Sequence, residues 1–207
     1  MTIGTPKPLV ILTADKDQQL AIRELLHRPM DLGIRAIEFD CIAHPRHDAG
    51  VFKTAHEFLR PFLKWDHALV VFDREGCGHD EGSREVLEND VESRLSANGW
   101  EDRARAVVID PELESWVWDS AYQVTRTLDW PDGANGLKRW LAESGFAKPG
   151  DSKPARPKEA FDEALRYRKI PHSSALFHDL AKDFRFRACT DAAFQRMIST
   201  LQSWFPA

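Results

Sequence analysis

The chain has 207 residues, 43% hydrophobic and 29% charged, so it can bury one sizeable core and is neither disordered nor fibrous. Its net charge of −5 excludes the overall basic excess of a general nucleic-acid binder, and no apolar run approaches the ~20 residues that span a bilayer. Met1 to Pro8 lack a basic stretch followed by a long apolar core, and the three cysteines, Cys41, Cys77 and Cys189, are widely spaced; the expectation is a cytoplasmic chain with reduced thiols and no membrane partner.

Pro8 to Ala14 (PLVILTA) reads as a buried strand, followed by Asp15 and Asp17 and a helix over 18–27. Arg35 to Phe39 gives a second strand, and Val51 to Leu63 places Phe52, Ala55, Phe58, Leu59 and Phe62 at helical spacing. His67 to Phe72 (HALVVF) is the clearest buried strand; it ends in Asp73, Arg74 and Glu75, with a helix at Ser83 to Leu95. Ala104 to Ile109 (ARAVVI) is a fourth strand, ending in Asp110, Pro111 and Glu112.

Strands that are nearly continuous in apolar residues and alternate with helices call for a parallel sheet covered on both faces. The fold expected is α/β: a three-layer sandwich with a mainly parallel central sheet and C-terminal helices. Beyond Trp118 no strand is expected, and helices are read over 158–167, 173–184 and 191–205, after a linker at 145–157. The domain reading is a core at 1–125 and a helical extension at 126–207 packed on it. Lys and Arg against Asp and Glu count 15 to 25 in residues 1–136 (net −10) and 13 to 8 in residues 137–207 (net +5). An acidic core with a basic tail suits a metal site beside a phosphate-contacting surface, although uneven solvated faces produce the same count.

Open parallel sheets bind ligands beyond the carboxyl ends of their strands. Asp15 and Asp17, Asp73 and Glu75, and Glu112 and Glu114 are delivered to that edge, where converging carboxylates require a cation, and oxygen ligands suit Mg²⁺ or Mn²⁺. The competing structural roles are a helix N-cap for Asp15 or Asp17 and a helix first turn for Glu112 and Glu114. Asp73 has no helix to cap before Ser83. Cys41, His44, His47, Cys77 and His79 could make a zinc site if their loops meet, but without a C-x2-C pair ordinary loop histidines are the better reading. Trp116, Trp118, Trp140 and Trp204 fall on helical patterns and read as core or interface anchors. There is no P-loop or nucleophile elbow.

The segments VVFDREG and VVIDPELESWVWDS, with the tail beginning RYRKIPHSS, resemble the Toprim-like small proteins of the domain-of-unknown-function 4276 and RloB-type groups of prokaryotic defence loci. Glu112, Glu114 and Trp116 match that group's E-x-E-x-W. Two positions depart from it: TADKD replaces the glutamate at the end of the first strand, and Glu75 replaces the second Asp of Asp-x-Asp. The resemblance implies an antiviral defence component that performs metal-dependent phosphoryl transfer on nucleic acid, with a nuclease as its concrete form and an ATPase or other defence subunit as partner. It implies Asp73, Glu75, Glu112 and Glu114 as catalytic residues, Asp73 and Glu75 with Asp15 or Asp17 as metal ligands, and Lys158, Arg166, Arg168 and Lys169 as phosphate contacts. A non-catalytic subunit that binds nucleic acid or a partner, and a small-molecule phosphoesterase, are the rival readings.

Overall fold

The runs LVILT, HALVVFD and ARAVVI are apolar on both faces because each lies inside a sheet covered on both sides. The computed structural model describes residues 5–79, 81–148, 151, 153–186 and 189–207. Its strands are β1 (Leu9–Thr13), β2 (Phe39–Ala43), β3 (His67–Asp73) and β4 (Ala104–Ile109), all parallel, in the order β2-β1-β3-β4. The described helices, in chain order, are α1 (Lys16–Leu26), α2 (Pro29–Leu32), α3 (His47–Phe58), α4 (Arg84–Leu95), α5 (Glu114–Val117) and α6 (Ala121–Thr127). They continue with α7 (Gly133–Glu143), α8 (Pro157–Arg168), α9 (Ser174–Lys182) and α10 (Ala192–Trp204). None is long and apolar enough to cross a membrane.

Side chains alternate across the sheet. Val10, Leu12, Val70, Phe72 and Val108 pack under α3 and α4 with Val51, Leu87 and Val91. Leu9, Ile11, Leu69, Val71 and Val107 face the other way, into a larger core that runs without a break into Phe161, Phe177, Phe194 and Leu201 of the C-terminal helices. That second layer is assembled from α1, α9 and α10: α9 lies along α1, and α10 lies on β4. Trp116 and Trp118 are buried in it as expected, and Trp140 and Trp204 are half-buried at its margin.

Two boundaries differ from the sequence expectation. The second strand is Phe39–Ala43 rather than Arg35–Phe39, because the earlier stretch pairs with the chain's end: Ile34 bridges Pro206, and the Arg35 N–H donates to the Phe205 carbonyl at 3.1 Å. Asp40 is tolerated inside this edge strand by Lys7, whose Nζ lies 2.6 Å from its carboxylate. The helix read at 51–63 is α3, which ends at Phe58; Pro61 lacks the N–H that would continue it, so Arg60–Phe62 is a separate 3-10 turn. Of the expected linker, Pro149, Gly150 and Ser152 lie outside the described residues.

The β4 edge is covered by side chains that take the place of a fifth strand. Glu92 Oε1 accepts the Ala106 N–H (2.9 Å), Glu88 Oε1 accepts the Val108 N–H (3.1 Å), and Arg196 Nε donates to the Ala106 carbonyl (2.9 Å). Arg196 also pairs with Glu92 (2.7 Å) and Glu88 (3.3 Å), joining α4 on one face to α10 on the other around the edge. Glu88 is 1% exposed, so its charge depends on Arg196 and on Arg84 at 2.8 Å. Arg196→Met is expected to cost about 2 kcal/mol, since it strips a charged donor from buried Glu88 and half-buried Glu92. Urea unfolding checks this, and Glu88→Gln in the same background should recover part of the loss.

Candidate active site

With the order β2-β1-β3-β4, successive connections leave β1 and β3 toward opposite sides, and the switch point of the sheet lies between them. The register pairs Leu9 with His67 and Leu12 with Val70; continued, it sets Asp15 level with Asp73 on strands about 4.8 Å apart. Asp15 caps α1, accepting the Gln18 N–H at 2.9 Å. A third carboxylate arrives from the crossover after β2: Asp48, in the first turn of α3, accepts the Asp73 backbone N–H at 2.7 Å. Its placement depends on Gly50, where a Cβ would collide with the His44 imidazole. That ring is fixed by the Arg46 N–H at Nδ1 (3.1 Å) and by Thr54 Oγ1 at Nε2 (3.2 Å).

The other wall is the segment after β4. Trp116 Nε1 donates to Asp191 Oδ1 (2.9 Å) at the cap of α10, and Trp118 Nε1 donates to the Pro157 carbonyl (2.8 Å) at the start of α8. Gln123 Nε2 ties the end of α5 through the Trp116 and Val117 carbonyls. These bonds hold Glu112 and Glu114 in place at 4% and 6% exposure. Glu112 faces the start of α8, where Arg156 supplies no capping side chain: Oε1 accepts the Lys158 N–H at 3.1 Å, and Oε2 lies 3.5 Å from Lys158 Nζ. Glu112 therefore docks α8, and Glu114 is the freer carboxyl of the two.

Asp73 Oδ1 is withdrawn from solvent and has no hydrogen-bond partner. Burial above all, then the charges of Asp48, Glu114 and Asp15, push its pKa well above the usual carboxylate range, against a partial offset from the Leu113 N–H. Asp48 is raised by burial and by Asp15, although the Asp73 N–H pulls it down. Burial, then Glu112, lifts Glu114 from 4.5 to about 7. Glu112 is raised by burial with Lys158 opposing, and Lys158 is pulled down by burial but raised further by Glu114, Glu112 and Asp73.

Of the residues singled out in the sequence, Asp15, Asp73, Glu112, Glu114 and Lys158 are brought together. Asp17 sits in the first turn of α1 facing His172, 3.8 Å away. Glu75 is exposed, acts on Glu112, and donates its backbone N–H to the Pro111 carbonyl (3.0 Å). Arg166, Arg168 and Lys169 stand at the far end of α8, roughly 12 to 17 Å along its axis from Lys158. Arg166 is exposed and paired with Glu163 at 2.9 Å, Arg168 grips the Leu128 and Asp129 carbonyls at 3.0 and 2.6 Å, and Lys169 ends the helix with φ 56°. Sequence reasoning gives no place to Asp48; its signal, an acid in the turn after the second strand beside a glycine, is too common to stand out.

The zinc grouping is not assembled. Cys41 lies in the core on one side of the sheet, where burial pushes its thiol up to about 12, and Cys77 lies in the core on the other side. His79 packs on Phe52 with ring centroids 4.7 Å apart. Among the described residues no three acidic, histidine or cysteine side chains are gathered closely enough to enclose an ion. The unpartnered Asp73 oxygen beside other carboxylates fits Mg²⁺ or Mn²⁺ differently, since Mg²⁺ is ordinarily held by one or two carboxylates, with water and substrate oxygens completing its shell. No protein-family model matches the chain, and no curated protein or solved structure is significantly similar to it.

The raised carboxyls tie stability to pH. Glu114 keeps its proton to about 7 when folded against 4.5 when unfolded, so its contribution is full below 4.5 and is lost as pH rises through 7. The loss is on the order of 3 kcal/mol. Urea unfolding in chelator at pH 5 and pH 8 should show a smaller decline for Glu114→Gln than for wild type; equal declines would place the coupling elsewhere.

Proposed function

We propose that the chain is a Toprim-like, divalent-metal-dependent phosphoryl-transfer component of a prokaryotic antiviral defence system, acting on nucleic acid as a nuclease. The observation that carries this reading is the buried, unpartnered Asp73 oxygen among Asp48, Asp15 and Glu114 at the switch point of a parallel sheet. Crowded carboxylates raise one another's pKa, and a cation removes that cost. The defence setting, and an ATPase as partner, rest on the resemblance of VVFDREG and the E-x-E-x-W segment.

Asp73 and an adjacent carboxylate would hold Mg²⁺ or Mn²⁺, and the chemistry such an ion supplies is neutralisation and polarisation of a phosphoryl group. Glu114, poised near neutrality, is the general base that takes a proton from the attacking water. Lys158, 58% exposed at Nζ's side chain and held by Glu112, donates to a phosphate oxygen at the mouth of the site. Arg166 and Lys169 contact the strand further along α8, and Arg168 supports them from its carbonyl clamp.

A non-catalytic subunit that binds nucleic acid or a partner is the second reading. It is favoured by Asp15 being spent on capping α1 and by Glu75 facing solvent. Calorimetric titration with Mg²⁺ and Mn²⁺ separates the two: wild type is expected to bind and Asp73→Ala to lose binding. Cleavage of labelled DNA or RNA should require metal and fall by roughly 100-fold in Glu114→Gln. Failure of the wild type to bind millimolar metal would transfer the conclusion to the non-catalytic reading.

A further inference from the structure

We propose that Asp48, carried in by the crossover after β2, is the second carboxylate of the cation site, the role that the Asp-x-Glu spacing assigns to Glu75. The inference rests on the metal-dependent reading above. The two-residue spacing of Asp73 and Glu75 would return both side chains to one side only if the strand continued, but β3 ends at Asp73 and the chain bends at Arg74. Glu75 then points to solvent on the Glu112 side.

Asp48 is placed where Glu75 is not. Its Oδ1 is anchored on the Asp73 N–H at 2.7 Å, which fixes the carboxylate beside the Asp73 side chain. Its Oδ2 faces Gly76, 3.9 Å from the point where a Cβ would stand, and that glycine turns the chain after β3 with φ 82°. The second, independent observation is Asp73 Oδ1: a solvent-excluded carboxylate oxygen with no donor, in a site whose strongest neighbouring charges are acids. An oxygen in that position lacks a positive partner, and Asp48 and Asp73 together provide the pair of oxygens that Mg²⁺ takes from protein. Asp15, already committed to the Gln18 N–H, adds charge from the neighbouring strand.

Mn²⁺ binding to the full-length protein tests this, read by calorimetry and by the paramagnetic resonance of bound Mn²⁺, in wild type, Asp48→Asn and Glu75→Gln. The amide oxygen of Asn still accepts the Asp73 N–H, so the fold is kept and only the charge is removed; thermal unfolding in chelator should show Asp48→Asn at least as stable as wild type. Affinity is expected to fall at least tenfold in Asp48→Asn and to stay within about twofold of wild type in Glu75→Gln. Wild-type affinity in Asp48→Asn, or an equal loss in Glu75→Gln, overturns the assignment while leaving the metal reading in place if Asp73→Ala still abolishes binding. No Mn²⁺ binding by the wild type overturns both. Binding that depends on Asp48 without cleavage of nucleic acid sustains the assignment and removes the nuclease reading.

Discussion

A four-stranded parallel sheet has two apolar faces, and the helices between its strands cannot cover both. The crossovers to β3 and β4 lay α3 and α4 on one face, which leaves α1 alone opposite Leu69, Val71 and Val107. The chain answers with its C-terminal third: α9 lines up beside α1, α10 lies on β4, and Phe161, Phe177, Phe194 and Leu201 complete the second core. This return of the tail is what brings α8 to the carboxyl edge of the sheet. Lys158 and the Pro157 carbonyl reach the segment after β4 only because the uncovered face demanded those helices.

The same edge carries an electrostatic load that the scaffold must bear. Asp73, Asp48 and Glu114 are all raised by burial; Asp48, Glu114 and Asp15 raise Asp73 further, Asp15 raises Asp48 and Glu112 raises Glu114, with positive charge supplied against this by His47 beside Asp48 and Lys158 beside Glu114. Hydrogen bonds from the Asp73 and Leu113 backbone relieve part of the crowding. Two indole N–H groups, on Trp116 and Trp118, keep the glutamates from moving away into solvent. Burying carboxylates this close together costs the resting fold stability.

The fold was legible wherever a strand was buried on both faces. LVILT, HALVVF and ARAVVI leave no alternative to a covered parallel sheet, whereas β2, at an edge and interrupted by Asp40, shares its apolar content with the preceding turn that pairs with Pro206. The place of Asp73 at the carboxyl end of a buried strand was legible from the run HALVVF that leads into it. The choice of Asp15 over Asp17 turns on strand register, which the sequence does not print. Glu112 and Glu114 look equivalent in the run PELES and become different only when α8 arrives to claim one of them. Asp48 was hidden for the same reason: its neighbour is Asp73 in space, 25 residues on, and the approach depends on a glycine against a histidine ring.

The side chains laid along β4 set a rule for assembly. Glu88, Glu92 and Arg196 occupy the N–H and carbonyl of Ala106 and the N–H of Val108, groups that a neighbouring strand would use, and they are themselves locked across the rim by ion pairs. A second chain, or an extended peptide, arriving at this rim meets ion-paired side chains on the middle rungs and must displace them to extend the ladder. Helix surfaces are the less costly place for a partner on this side, because docking there leaves the ion pairs around the sheet's rim intact.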